Sequence, residues 1–126
     1  MIVLDTHAWL WWVAAPRKVS RAATNAIERA DRVGVSTASL FELVELVERQ
    51  RVALKAPVRD WIRSALGGAL VESLPVTSEI AIDAAQLRFV GDPFDRIIYA
   101  TALAEDALLV TRDERLHGFD PKRTVW

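Results

Sequence analysis

Four acidic residues in this chain have the type and placement to hold a hard divalent cation: Asp5, Glu42, Asp95 and Asp113. Asp5 follows directly on the apolar run Ile2-Val3-Leu4, and Asp113 follows Leu108-Leu109-Val110-Thr111. Glu42 lies in the segment Ala38 to Glu48, which before its final Glu48 is apolar except for a narrow stripe of Ser39, Glu42 and Glu45. Asp95 stands in Asp92-Pro93-Phe94-Asp95-Arg96. Each acid also has an ordinary structural use. Asp5 suits a helix N-cap, and Asp92 ahead of Pro93 reads as an N-cap with its first helical residue. Asp95 then falls at the third helical position, where the helix dipole favours an anion. Glu45 has Arg49 four residues on and Glu48 has Arg51 three residues on, so both can pair locally, whereas Glu42 has no cation at those spacings. A buried carboxylate wants a partner, and a metal ion is one; a solvated stripe is the other reading of Glu42. Thr111 with Glu114 reads as a capping box for a short last helix, which leaves Asp113 without a structural task.

Taken together, the four acids would repel one another and raise each other's pKa unless a cation lay between them. An all-oxygen donor set, in a chain with no cysteine and no HxH or HExxH pattern, favours Mg²⁺ or Mn²⁺ over Zn²⁺. With no convincing nucleophile, the expected chemistry is attack by metal-activated water. His7 adjoins Asp5 but is not required for that. Formal net charge is −1, so a phosphate-facing surface must come from local clustering. Most basic residues of such a chain are simply solvated, but Arg96 and Arg112 lie near the acids in sequence and are candidate phosphate contacts, with Arg115 also flanking Asp113. An aspartyl-phosphate domain fits poorly: His7 stands where a second Asp would be wanted, and the one late lysine is Lys122.

Short β-branched runs alternate with helical patterns along the chain. Strands are expected at Ile2 to Leu4, Val33 to Ser36, Ala69 to Leu74, Ala107 to Thr111 and Arg123 to Trp126. Helices are expected at Thr6 to Ala14, Ser20 to Ala30, Thr37 to Gln50, Pro57 to Leu66, Ser78 to Leu87 and Pro93 to Glu105. This alternation predicts one α/β domain over residues 1–126, its sheet covered on both faces, with ligands beyond the carboxyl ends of the strands. Hydrophobic residues are 52% and charged residues 26%, a globular balance. No apolar stretch is long enough to span a bilayer, and a cytoplasmic protein is expected. Trp9, Trp11 and Trp12 lie in an apolar run on the first helix. A helix apolar all round predicts surplus surface for a second copy or a partner helix.

Leu4-Asp5-Thr6-His7-Ala8, Ser39-Leu40-Phe41-Glu42, Asp92-Pro93-Phe94-Asp95-Arg96 with Ala100-Thr101-Ala102, and Val110-Thr111-Arg112-Asp113 resemble, in order and spacing, the PIN-domain family, in particular its VapC-type toxins of toxin–antitoxin pairs. The resemblance spans essentially the whole chain. It implies an α/β/α sandwich with a mainly parallel sheet of four to five strands, and endoribonuclease activity at a Mg²⁺ or Mn²⁺ site. By position it assigns the acidic ligands to Asp5, Glu42, Asp95 and Asp113 and the neighbouring hydroxyls to Thr6 and Thr111; Asp92 belongs to the motif. RNA as substrate, a cognate antitoxin and a homodimer are the implied partners. A non-catalytic protein-binding module on the same fold is the alternative. The chain departs from the family at Phe89-Val90-Gly91, where a histidine is common, and at Glu45 and Glu48, where a lysine often follows.

Overall fold

The computed structural model describes residues 1–89 and 91–126, so Val90 in the departure just noted lies outside the described residues. Five short strands, β1 (Ile2–Leu4), β2 (Val33–Ser36), β3 (Val71–Leu74), β4 (Leu108–Val110) and β5 (Thr124–Val125), form one sheet in the order β3-β2-β1-β4-β5. Every neighbouring pair is parallel. The helices are α1 (Thr6–Ala14), α2 (Arg21–Arg29), α3 (Thr37–Glu48), α4 (Val58–Ala65), α5 (Ser78–Gln86), α6 (Pro93–Ala104) and α7 (Glu114–Phe119).

Side chains alternate across the sheet, as strand geometry requires. Ile2 and Leu4 join Val35, Trp9, Ile27 and Leu43 in one buried cluster, while Val3 joins Leu109, Leu74, Ile98 and Leu116 in another. The sheet is therefore covered on both faces, the α/β/α sandwich expected. Gly34, between Val33 and Val35, is needed for close packing: a Cβ there would sit 2.5 Å from Leu74 Cδ1.

Helix starts follow the capping residues. Ser20 accepts the Ala23 N–H at 3.1 Å and Thr77 the Ile80 N–H at 3.2 Å. Ends are less regular. Helix α3 stops at Glu48, two residues short of expectation, and Gln50 turns into the left-handed region at φ 58°. The chain leaves the helix axis there, so Arg49 pairs with Glu45 at 3.5 Å but the expected Glu48–Arg51 pair is absent among the described residues.

The surplus expected on α1 is mostly absorbed. Trp9 is fully buried, edge-on to Trp61 of α4 with centroids 5.3 Å apart. Trp11 and Trp12 are half-buried against the same core, and Trp126 lies 5.9 Å from Trp11. Exposed large apolar side chains occur elsewhere, Phe41 and Ile82 foremost on helices. No helix among the described residues is long and apolar enough to cross a membrane.

Candidate metal centre

Parallel pairing decides where the acids meet. Leu4 is in register with Val110 on one side and Val35 on the other, so β1, β2 and β4 end at one edge. The Asp5 N–H donates to the Val110 carbonyl at 3.0 Å, which ties the two chain exits together. Asp5 opens α1, Ser36 opens α3 with Glu42 on its second turn, and Asp113 opens α7. Helix α6 packs against α3 and β1 and brings in Asp95 on its first turn. Asp5, Glu42, Asp95 and Asp113 all line one pocket of about 450 Å³ at this edge, with Asp92 beside them. Thr6, His7, Trp11, Arg112 and Arg115 complete most of its wall.

Structural and electrostatic duties overlap on these residues. Asp5 caps α1 by accepting the Ala8 N–H at 2.8 Å, and Asp92 caps α6 by accepting the Asp95 N–H at 2.9 Å. Asp113 caps α7, accepting the Arg115 N–H at 2.9 Å, while the Thr111 hydroxyl accepts the Asp113 N–H at 3.1 Å. The Thr111–Glu114 capping box expected from sequence is thus replaced by an Asp113 cap, because Thr111 is spent on the turn before the helix. Asp113 has a structural task after all.

Burial pushes the Asp5 carboxyl upward, against the Thr111 hydroxyl and the Ala8 N–H; its residual exposure is to the pocket itself. Burial also raises Glu42, with Asp92 and Asp5 adding repulsion. Asp95 is pushed up to about 6 by burial and then by Asp92, Asp113 and Glu42. For Asp113, burial is outweighed by Arg115, which holds the carboxyl below its ordinary value. The Arg115 guanidinium grips Asp113 through both oxygens, Nε to Oδ1 at 3.2 Å and Nη2 to Oδ2 at 3.0 Å, and stands 3.6 Å from Asp95 Oδ2.

Among the described residues no three of the acids are drawn tightly enough together to make a finished cation cage. The donor set nevertheless fits a hard cation. It is all oxygen, and Asp5, Glu42 and Asp95 share an upward pKa pressure that a cation would relieve. The Thr6 hydroxyl faces Glu42 but forms no good hydrogen bond, and the Ser39 hydroxyl, one turn before Glu42, is buried without a partner. Ser39 is buried and Glu42 half-buried at the pocket, so that end of the α3 stripe faces inward, while Glu45 lies toward solvent with Arg49.

Thr6 and Arg112 line the pocket, Thr6 buried and Arg112 with its guanidinium 5.8 Å over the Trp11 ring, while buried Thr111 sits behind the wall with its hydroxyl against Asp5. Arg96 does not. It lines a separate hollow between α5 and α6 with Ala81, Ala85 and Ile97, and its buried Nε has no partner. Consecutive residues on a helix point about 100° apart, so Arg96 turns away from the face that carries Asp95. Sequence reasoning named Arg115 only as a neighbour of Asp113, and it left out His7, which sits exposed on the pocket wall 5.5 Å from Trp11. It also missed His117. That ring bridges the Thr111 carbonyl at 2.7 Å and the Thr124 hydroxyl at 3.0 Å, bracing the end of β4 against β5. Only the six-residue spacing between Thr111 and a histidine in the following helix hinted at it.

Comparison with known proteins agrees with the architecture. The chain is similar to a toxin–antitoxin complex structure from Klebsiella pneumoniae, TM-score 0.71 at 21% identity, with 100% of this chain and 97% of that one covered. It is likewise similar to VapBC2 from Rickettsia felis bound to a promoter DNA fragment, TM-score 0.70 at 18% identity, covering 99% and 98%. These two carry the fold. In sequence, the chain is 41% identical to Ribonuclease VapC22 of Mycobacterium tuberculosis over 129 aligned positions, 99% of this chain and 98% of that protein. The PIN domain family model matches residues 2–120. With that match and a relative this similar over nearly its whole length, the chain belongs to the PIN-domain family.

Proposed function

We propose that this PIN-domain protein is a Mg²⁺- or Mn²⁺-dependent endoribonuclease, the toxin of a toxin–antitoxin pair, acting in the cytoplasm as a single domain and held in check by a cognate antitoxin. The convergence of Asp5, Glu42, Asp95 and Asp113 on one pocket, with Arg112 on its wall, carries the reading. The 41% identity to a ribonuclease and the toxin–antitoxin neighbours support it.

Asp5 and Asp95 would hold the ion directly, and Glu42 and Asp113 would complete the site directly or through water. When bound, the ion supplies an activated water and neutralises charge on the leaving oxygen of a phosphodiester. The protein's own groups position the rest. Thr111 orients Asp5, Thr6 faces Glu42, and Arg112 draws the polyanionic backbone to a pocket that would otherwise repel it. Exposed apolar side chains such as Phe41 and Ile82 offer surface for a second copy or for the antitoxin.

One observation favours the alternative of a non-catalytic binding module: Asp5, Asp92 and Asp113 each cap a helix, a sufficient structural reason for their presence. Total bacterial RNA incubated with the purified protein in Mg²⁺, in chelator, and with Asp95→Asn separates the two. Discrete new 5′ ends that need metal and vanish in the variant establish the nuclease. No cuts, together with no Mn²⁺ binding, would favour the binding module.

A further inference from the structure

The geometry at Asp113 points to a role for Arg115 that deepens, and rests on, the nuclease reading. We propose that Arg115 is a built-in exchange cation for this pocket: its guanidinium competes with the divalent ion for Asp113 and Asp95, and the RNA phosphate receives it when the ion displaces it.

Three observations carry this. First, Arg115 engages both Asp113 oxygens, and Asp113 Oδ1 also accepts the Arg115 backbone N–H, so Asp113 has little capacity left for another cation. A bidentate guanidinium–carboxylate pair is among the stronger ionic contacts a protein makes. Second, the same guanidinium reaches toward Asp95, 3.6 Å away, and so bridges two of the four acids from α6 and α7. A cation serving both carboxylates must take over the role that Arg115 fills. Third, the Arg115 side chain is mostly exposed, 61%, and leans on the Phe89 ring at 5.9 Å rather than being locked in place. It can swing on its own stem without disturbing the core. Once released, the charge sits at the mouth of a pocket built for a phosphodiester, and an anion entering there is its natural partner. Arg112 differs in a useful way. It lines the same pocket with the same charge but makes no ion pair with any acid among the described residues.

Exchange makes metal and nucleic acid bind with positive coupling, because each favours the state the other prefers. The test is Mn²⁺ titration by calorimetry, with and without a single-stranded DNA oligonucleotide as an uncleavable phosphate probe. It uses wild type, Arg115→Gln, Arg115→Lys and Arg112→Gln. Arg115→Gln should bind Mn²⁺ alone about two- to fivefold more tightly, the size expected for losing a solvent-exposed bidentate competitor. It should also lose the enhancement that the oligonucleotide gives wild type. Arg115→Lys, which keeps the charge but not the fork, should fall between. Arg112→Gln should raise Mn²⁺ affinity much less. Equal gains in both Gln variants would mean general charge relief and overturn the proposal, as would unchanged affinity in Arg115→Gln with an unchanged melting temperature. Failure of wild type itself to bind Mn²⁺ would overturn the metal-dependent reading beneath it.

Discussion

Asp5 and Asp95 show how one side chain answers to both fold and site. Asp5 accepts the Ala8 N–H at the start of α1 while lining the acidic pocket. Asn caps a helix about as well as Asp, whereas Ala at an N-cap costs about 1 kcal/mol. Asp5→Asn should therefore keep its urea midpoint, or gain slightly from reduced repulsion, while Mn²⁺ binding and RNA cleavage disappear. Asp5→Ala should lose the same activity and about 1 kcal/mol of stability besides. If Asp5→Asn unfolds, the structural reading of Asp5 as a helix cap wins instead. Asp95 leads to a pH prediction. Its carboxyl rises from the ordinary 3.8 to about 6, so the folded chain binds that proton more tightly than the unfolded chain. Its contribution to stability is full below about 3.8 and is lost as pH climbs through 6. In chelator, unfolding free energy should fall across that window, by about 1 kcal/mol once solvent screening of this partly exposed carboxyl is allowed for. Asp95→Asn should reduce the slope and leave the part due to Asp5 and Glu42, whose carboxyls are raised as well. Asp113, held low by Arg115, acts in the opposite sense and only at more acid pH.

At the scale of elements, the site depends on where strands end and how closely they approach. Val33 and Val35 point into the first core cluster, and Gly34 between them leaves room for Leu74 of β3. Gly34→Val would force Leu74 aside, and overpacking of this kind costs about 1–3 kcal/mol. The melting temperature should drop accordingly, and Mn²⁺ affinity should weaken too, since α3 with Glu42 follows directly from β2. A variant with wild-type melting would show that the sheet has slack here. Element types and helix starts were legible because capping residues and apolar periods are local signals: Ser20, Thr77 and Asp92 cap the helices they precede. Helix α3 ended early because Gln50 takes a left-handed conformation that no glycine or proline advertises.

For the molecule as a whole, metal binding should act as a folding ligand. An ion that binds only the folded chain stabilises it by about 2.7 kcal/mol at one hundred times its Kd. Thermal unfolding should shift upward with Mn²⁺ in wild type and stay fixed in Asp95→Asn. A shift that persists in the variant would place the ion elsewhere. Surface charge matters at this scale too. With net charge −1 the global field would not attract a polyanion, so any attraction for one must come from local positive charge such as Arg112 and Arg115 on the pocket wall.

The alternation of strands and helices, the layered architecture and the four acids as a set were legible in the chain, because each rests on local pattern, strand ends and motif order. Which cations share their pocket was settled by packing. Arg96 is next to Asp95 in sequence yet faces α5, while Arg115, two residues past Asp113, folds back to reach Asp95 across the gap between α6 and α7. Glu42 was ambiguous for the same reason. Its segment permits either an outward or an inward stripe, and only the packing of α3 against α6 and α1 turns Ser39 and Glu42 toward the acids. Direction from a helix axis, and proximity between elements far apart in sequence, are properties of packing that no local pattern contains.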